Sequence, residues 1–539
     1  MLVDAPVYPA PMNRAARSQL PVATPNGEVH IPLPRRVGVV TPPDPPPPAD
    51  ATMLLPKSPS QEEADRKLRR EAWQRRIAWG APALVTLALG VVGLTGTGLW
   101  ADELATWGIT TVSWAELWRQ LDGTDATIGP YYVLIRIWTT VFGDSDLSLR
   151  LPSLLAMVGA AAVVGLIGIR LGSHRIGLIA GLTFAILPIT TRFGQEARPY
   201  AMATLAAAVA TLLLIRMLEG YTLGLALAYG AAVAALGAMH LVALLMLAAH
   251  GLAVLLLKRK LVWRWGPSAF VGLIPLIPII LIGRRQQGNQ IGWIPFTDLH
   301  QIEAYGLEFF GGALIGGAVI ALGVAAVSRE RGAVVAITLG VVPVALLMAL
   351  GSVAHLWQQR YVLYTIVGWA VLVGLLLAKR GLLAATATIA VLAVLTLPGQ
   401  AEVRKPAFRY QDTKAVVALI ERDFQPGDGI VYGLKDRGPG VLNRDVIAHY
   451  LPANRRPTDL LMDRPMRTDG WMVASEHQDV AVRLGETRRL WVLRLGEYGD
   501  PLDDLDGSKK DVLKERYDVA DSWWTTGYTV ALLTRKEAV

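Results

Sequence analysis

The sequence predicts an all-α polytopic membrane domain of about 11 transmembrane helices. Juxtamembrane helices are expected in its first outer loop, and an α/β extracytoplasmic domain at the C-terminal end. Composition is the first reason. The 539 residues are 53% hydrophobic and 18% charged, against roughly 45–50% and about 25% in soluble proteins, and mean hydropathy is +0.38. The second is that the apolar residues gather in runs long enough to cross a hydrocarbon core, which takes roughly 20 residues. The third is a change after residue 400 to charged, Gly-, Pro- and Asp-punctuated sequence. Together they exclude a disordered chain and argue against an ordinary soluble enzyme. No cysteine is present, which excludes a disulfide scaffold, a thiolate metal site and a cysteine nucleophile. The net charge of +8 (Lys+Arg 52, Asp+Glu 44) is read as basic cytoplasmic loops, and no nucleic-acid partner is predicted.

Residues 1–76 hold no apolar core of signal-peptide length and contain the run Pro45-Pro46-Pro47-Pro48. They are expected to form a disordered cytoplasmic tail that ends in a basic helix around Lys67–Arg70 and Arg75-Arg76. Residues 77–399 form the membrane domain. Its spans are expected near 77–99, 149–171, 175–192, 197–217, 221–240, 242–258, 265–283, 304–327, 333–352, 359–378 and 381–398. With the N-terminus inside, the cytoplasmic turns collect Arg170, Arg175, Arg216, the Lys258–Lys260 cluster, Arg329, Arg331 and Lys379-Arg380, as the positive-inside rule requires. That bias decides residues 129–142. Counting them as a span would invert every later loop, and a stretch of this length carrying Arg136 reads better as a helix in the outer interface. The protein is thus expected in the cell membrane as a multi-pass chain, with its C-terminal part outside. Residues 400–539 offer short strands at Gly429–Tyr432 and Leu490–Arg494, alternating with helical patterns at 412–423 and 508–517. This domain is read as a lid or a scaffold.

Asp102 and Glu103 follow the first span directly. Two adjacent carboxylates at a membrane surface need a partner or a task. The loop they open is long and continues through Trp114–Trp118 to Asp122 and Asp125, so acids and aromatics gather on one membrane face. Tyr131 and Tyr132 can stack on a sugar or a prenyl chain, or serve as interfacial belt residues. His240, at an outer span end, either binds substrate or is an interfacial histidine. His250 reads as a hydrogen-bonded packing residue.

The order Asp102-Glu103, Gly129-Pro130-Tyr131-Tyr132, Leu149-Arg150-Leu151-Pro152-Ser153, Gln195-Glu196-Ala197-Arg198-Pro199-Tyr200 and Arg360-Tyr361 resembles the C-type polytopic glycosyltransferases. The likeness is to the protein mannosyltransferase and aminoarabinose lipid A transferase type, including actinobacterial members. One departure is Ile128, where many relatives carry histidine. The resemblance implies an inverting transfer of mannose or a related sugar from a polyprenyl-phosphate donor to an acceptor hydroxyl on a glycan, lipid or protein. It makes Asp102 the catalytic base, with Glu103 orienting it or binding the acceptor. Asp125, Tyr131, Tyr132, Gln195, Glu196, Arg198, Tyr200, His240 and Arg360 become the substrate-binding set, with Arg198 and Arg360 on the leaving phosphate. No cofactor and no metal are predicted, although some relatives use a divalent ion. A lipid or glycan flippase is the alternative, and its signs are an inverted repeat and charges at the bilayer midplane. Neither is visible in the sequence.

Overall fold

The structure, a computed structural model, describes residues 59–433 and 442–537. The expected disordered tail over 1–58 lies outside the described residues. The expected basic helix does not stand alone: it is the first part of α1 (Pro59–Val91). Apolar character in α1 begins near residue 77, so its lipid-compatible part is shorter than the roughly 20 residues of a full crossing. The expected span 77–99 therefore stops at Val91, and turns follow up to the extended stretch that enters the next helix.

The first outer loop folds into α2 (Ala101–Thr111), α3 (Trp114–Gly123) and α4 (Gly129–Phe142). Helix α4 starts with Pro130 in its first turn, where a missing N–H is harmless, and ends at Gly143 with φ +75°. It buries Tyr131, Tyr132 and Ile135 and exposes Leu134, Ile137, Val141 and Phe142. That pattern suits a short helix lying against protein on one side and lipid on the other.

The membrane part continues through α5 (Asp146–Leu171), α6 (His174–Ile186), α7 (Pro188–Gly194), α8 (Tyr200–Glu219), α9 (Leu223–Met239), α10 (Met246–Lys258), α11 (Val262–Leu273) and α12 (Ile277–Ile291). After these come α13 (Leu299–Glu308), α14 (Ala313–Ala325), α15 (Arg331–Gly351), α16 (Ile366–Leu377) and α17 (Leu382–Glu402). Among the described residues six helical stretches are long and apolar enough to cross a membrane, or seven if α6 and α7 count as one bent crossing. One of the six, residues 241–288, holds two expected spans. Its backbone leaves the helical region at Lys258 (φ −153°, ψ 66°), beside the basic cluster expected at a cytoplasmic turn. Helices α9 and α14 are apolar but shorter. The multi-pass membrane architecture holds, while the expected spans differ in length and straightness. The 66° bend between α6 and α7 falls at Pro188, which lacks an N–H and forces Leu187 into an extended conformation (ψ 130°).

Small residues let the helices close on one another. A Cβ on Gly165 of α5 would lie 2.4 Å from the carbonyl oxygen of Ala78 in α1, and one on Gly168 would lie 2.5 Å from Gly177 of α6. These contacts fix α1, α5 and α6 as one packed group.

Beyond α18 (Thr413–Asp423) the chain builds a five-stranded mixed sheet. Its strands are β1 (Gly429–Tyr432), β2 (Thr458–Asp459), β5 (Arg489–Leu495), β6 (Tyr517–Thr525) and β7 (Tyr528–Arg535), in the order β2-β1-β5-β7-β6. The pairs β1–β2 and β1–β5 are parallel and the others antiparallel. A small hairpin of β3 (Met462–Arg464) and β4 (Ser475–Glu476) stands apart. Helix α19 (Asn443–Tyr450) lies between β1 and β2 in the chain, and α20 (Val480–Leu484) and α21 (Gly507–Arg516) complete the domain. The two-residue alternation of strands sends side chains to two faces. Val431, Leu490, Val492, Ala531 and Leu533 face a core shared with α20 and α21. Ile430, Tyr432, Trp491, Leu493, Val530 and Leu532 face a core shared with α18, α19 and residues Leu104, Trp107, Leu117 and Tyr132 of the first outer loop. The C-terminal domain therefore shares one hydrophobic core with the loop that carries Asp102. That is the packing of a scaffold.

This packing places α4 and the sheet domain on one face. Because the chain has no native cysteine, Thr140→Cys and Glu486→Cys can be labelled singly with a membrane-impermeant reagent. Both are expected to react from the same, outer side. Labelling from opposite sides would contradict the arrangement.

Candidate active site

Glu103 stands in the first turn of α2 and is fully buried. Its carboxylate is enclosed by donors from three distant parts of the chain. Arg150 of α5 donates from Nε to Oε1 at 2.8 Å and from Nη2 to Oε2 at 2.7 Å. Arg409 donates from Nη1 to Oε2 at 2.8 Å, and the Ala197 amide donates to Oε1 at 2.9 Å. Burial alone would raise the carboxyl pKa, but Arg150 and Arg409 carry it down to about 2. The arginines do further work. Arg150 donates to the carbonyls of Leu94, Thr97 and Gly98 and so holds the turn before α2. Arg409 donates to the carbonyl of Gln195 at 2.8 Å.

Asp102, one residue earlier, faces another way because successive residues of a helix are turned by about 100°. Its side chain is 28% exposed. Oδ2 lies 3.8 Å from Arg198 Nε and 3.9 Å from Arg360 Nη2. Both are ion-pair distances beyond hydrogen-bond reach. Among the described residues Asp102 Oδ2 accepts no hydrogen bond, and the Nε groups of Arg198 and Arg360 donate none. The adjacent carboxylates thus differ completely: one has every lone-pair direction used, the other keeps an oxygen without a hydrogen bond, shielded between two cations.

Around this centre, Arg198 Nη1 reaches the Asp102 carbonyl and the Tyr132 hydroxyl, each at 3.4 Å. The Tyr132 hydroxyl donates to Asp125 Oδ2 at 3.0 Å. Asp125 has left-handed backbone (φ 60°), and burial pushes its carboxyl pKa up. Its turn is held from α12 by Gln286, which accepts from the Ala126 amide and donates to the carbonyls of Leu121 and Asp122. On the other side is an aromatic wall. The Tyr200 ring stacks with Tyr361 (6.4 Å between centroids, 29°) and lies 5.4 Å from His240. His240 lies 4.6 Å from Tyr361, and Arg360 sits over the Tyr200 ring. A cavity of about 780 Å³ adjoins this group, lined by Arg360, Trp100, Arg192, Phe193, Gln358 and Phe408 among others.

Of the residues expected at the site, the structure brings together Asp102, Arg198, Arg360, Tyr132, Asp125, Tyr200 and His240. Glu103, Gln195, Glu196 and Tyr131 lie behind it. Glu103 is enclosed by its arginines and has no surface to offer an acceptor. The Gln195 amide donates to the carbonyls of Gly90 and Val92. Glu196 is buried and ion-paired to Arg192 one helical turn back. Tyr131 is wholly buried in the core beneath the loop. His250 is a packing residue, bonded to Thr211 Oγ1 and the Tyr229 hydroxyl. Arg409, Arg192 and Gln286 are contributors that no motif marks. Arg150 and Tyr361 stand inside quoted motifs without an individual role. Among the described residues no three His, Asp or Glu side chains converge as a metal-ligand set.

With the geometry established, comparison with known proteins is informative. The profile of the dolichyl-phosphate-mannose-protein mannosyltransferase family matches residues 128–282. That stretch contains the motifs at 149–153 and 195–200 and leaves Asp102 and Arg360 outside it. The chain superposes on ArnT from Cupriavidus metallidurans bound to undecaprenyl phosphate with a TM-score of 0.55 at 13% identity, covering 84% of this chain and 97% of that one. The apo form of ArnT gives 0.52 at 12% identity over the same shares. AglB of Archaeoglobus fulgidus, an oligosaccharyltransferase, overlaps more loosely (0.46, 10% identity, 86% and 74%). No curated protein matches the sequence. The chain thus shares the fold of ArnT.

Removing one side of a buried ion pair leaves the partner charge uncompensated, typically at about 3–5 kcal/mol. Glu103→Gln is expected to lower unfolding stability in detergent by roughly that amount. The sign of the pH dependence follows from the depressed pKa. Glu103 contributes fully above its ordinary value of 4.5 and loses that contribution as pH falls toward about 2. Stability of the wild type should fall through that window by more than stability of the variant. A variant as stable as wild type at neutral pH would remove Glu103 from its structural role.

Proposed function

We propose that the chain is an inverting membrane glycosyltransferase. It moves a sugar, mannose or a related hexose or pentose, from a polyprenyl-phosphate donor to an acceptor hydroxyl at the outer membrane face. The observation that carries this reading is the partly exposed carboxylate of Asp102, whose Oδ2 lies without a hydrogen bond between Arg198 and Arg360. The fold likeness to a protein crystallised with undecaprenyl phosphate supports a prenyl-phosphate leaving group. The cavity reaching from Arg360 to Phe408, about 780 Å³, has the volume of a small-molecule site and can take the head of such a donor.

The chemistry assigns each group a task. An acceptor hydroxyl is a poor nucleophile until its proton leaves, and a positioned carboxylate accelerates that step by roughly 10²–10⁴. The Asp102 carboxylate takes the proton as the acceptor oxygen forms a bond to the anomeric carbon. The bond from that carbon to the phosphate oxygen breaks on the opposite face, and its electron pair stays with the phosphate. A single displacement inverts the anomeric configuration. The departing group is already an anion, so it needs cations rather than an acid. Arg198 and Arg360 supply two guanidinium groups whose Nε donors are unused. Glu103 acts through structure: it fixes the start of α2 and so the direction of Asp102. Tyr200, His240 and Tyr361 form a wall against which the sugar or first isoprene can rest. The acceptor is a glycan, a lipid or a protein. The N-terminus is cytoplasmic and the C-terminal domain extracytoplasmic, consistent with the basic residues at the turns opposite Asp102.

Asp102→Asn keeps size and polarity and removes the base. Prenyl-phosphate release in the presence of acceptor is expected to fall by at least about 10² while donor binding survives. Undiminished turnover in folded protein would move the base elsewhere, with Asp125 the first alternative. Arg198→Lys and Arg360→Lys retain charge but lose the forked donor. Each is expected to slow transfer by on the order of 10²–10³, and full activity in both would return them to headgroup anchoring.

A further inference from the structure

At the ends of α1 and α5 far from Asp102, an open groove of about 810 Å³ runs between α1, α5 and the start of α6. Its apolar lining is formed by Ala162 and Leu166 of α5 and by Leu68, Ala72 and Trp79 of α1. Its mouth is basic, formed by Arg75 and Arg76 of α1 and by His174 at the first position of α6, with Glu71 the one acid among the lining residues. Neither arginine has an ion-pair partner among the described residues. The Nδ1 atom of His174 is buried there without a hydrogen-bond partner. The amides of the first turn of α6 open at the same place, and Ser173 caps only one of them, that of Ile176. Such a turn favours an anion.

The vertical order of these groups is informative. Gly165 packs directly on Ala78 and Trp79, so Ala162 and Leu166 lie at the depth of the apolar part of α1. Arg75 and Arg76 lie about one helical turn further out along α1. Cations at the surface above an apolar slot match a molecule with an anionic head and a hydrocarbon tail. A free phosphate would leave the slot empty, and an uncharged lipid would leave the arginines unanswered.

We propose that this groove is a binding site for an anionic phospholipid of the leaflet opposite the candidate active site. Its phosphate is held by Arg75, Arg76 and the N-terminal turn of α6, and an acyl chain lies along Ala162, Leu166 and Trp79. The site is separate from the cavity beside Asp102 and does not depend on the glycosyltransferase reading.

The test is native mass spectrometry of the full-length protein in detergent, titrated with phosphatidylglycerol and, separately, phosphatidylcholine. Wild type is expected to retain phosphatidylglycerol in preference to phosphatidylcholine. The double variant Arg75→Ala/Arg76→Ala is expected to lose about tenfold or more in apparent affinity, as two surface cations are removed. Arg69→Ala/Arg70→Ala removes the same charge from exposed positions of α1 outside the groove and should bind as wild type. Ala162→Trp fills the slot without changing charge and should also lose the lipid. Melting curves without added lipid establish that each variant is folded. Equal loss in the two arginine pairs would reduce the effect to diffuse surface attraction. Undiminished binding by Ala162→Trp, or no preference for phosphatidylglycerol in wild type, would likewise overturn the site.

Discussion

The arrangement of the outer face depends on one buried carboxylate. Glu103 sits where no water reaches it, and an ionised group there is tolerable only with near-complete compensation. Arg150, Arg409 and the Ala197 amide provide it. Because those donors come from α5, from the segment after α17 and from the 195–199 loop, satisfying one charge draws four parts of the chain together. Asp102 inherits its orientation from this. With Glu103 fixed inward, helical geometry turns Asp102 toward Arg198 and Arg360. Two identical chemistries side by side acquire opposite environments, one saturated with hydrogen bonds and one held only at ion-pair distance from two arginines.

The C-terminal domain extends the same constraint. Arg409 and Gln411 lie just past the last membrane helix, and Gln411 accepts from the Ala101 amide at the start of α2 (2.8 Å). The Tyr450 hydroxyl accepts from the Leu99 amide and donates to Asp146 of α5, which also meets His449. One face of the sheet closes a hydrophobic core with α2 and α3. The domain thus supports the loop from above while the membrane helices support it from below. A rigid position for Asp102 is what the proposed transfer requires, since misplacement by about 1 Å can lower rates 10²-fold.

Much of this was legible in the sequence, for physical reasons that differ from element to element. Apolar runs report membrane helices directly, and the helices at 146–171, 200–219, 331–351 and 382–402 lie close to the expected spans. The strands at Gly429–Tyr432 and Arg489–Leu495 were visible as short apolar runs, because a sheet covered on both faces needs them. Asp102 stood out because a carboxylate at a membrane surface demands a reason. What could not be read was how differently the two acids of the pair are surrounded. That is decided by Arg150, 47 residues away, and Arg409, 306 residues away, and no local pattern encodes either pairing. Gln195 and Glu196 were drawn into the site by motif membership, yet their side chains serve the backbone at Gly90 and the Arg192 charge. The early stop of the first span at Val91 has the same origin, since Arg150 captures the carbonyls of the turn that follows.

The central claim is that Asp102 activates an acceptor for a single displacement at the anomeric carbon of a prenyl-phosphate sugar. The most direct measurement incubates the purified full-length protein in lipid with a panel of polyprenyl-phosphate sugars of defined anomeric configuration and a membrane extract as acceptor. Prenyl phosphate released is quantified, and the new glycosidic linkage is assigned by NMR. The account predicts release with one member of the panel and a product whose anomeric configuration is inverted relative to the donor. Retained configuration would require two displacements through a covalent glycosyl intermediate rather than one, and would contradict it.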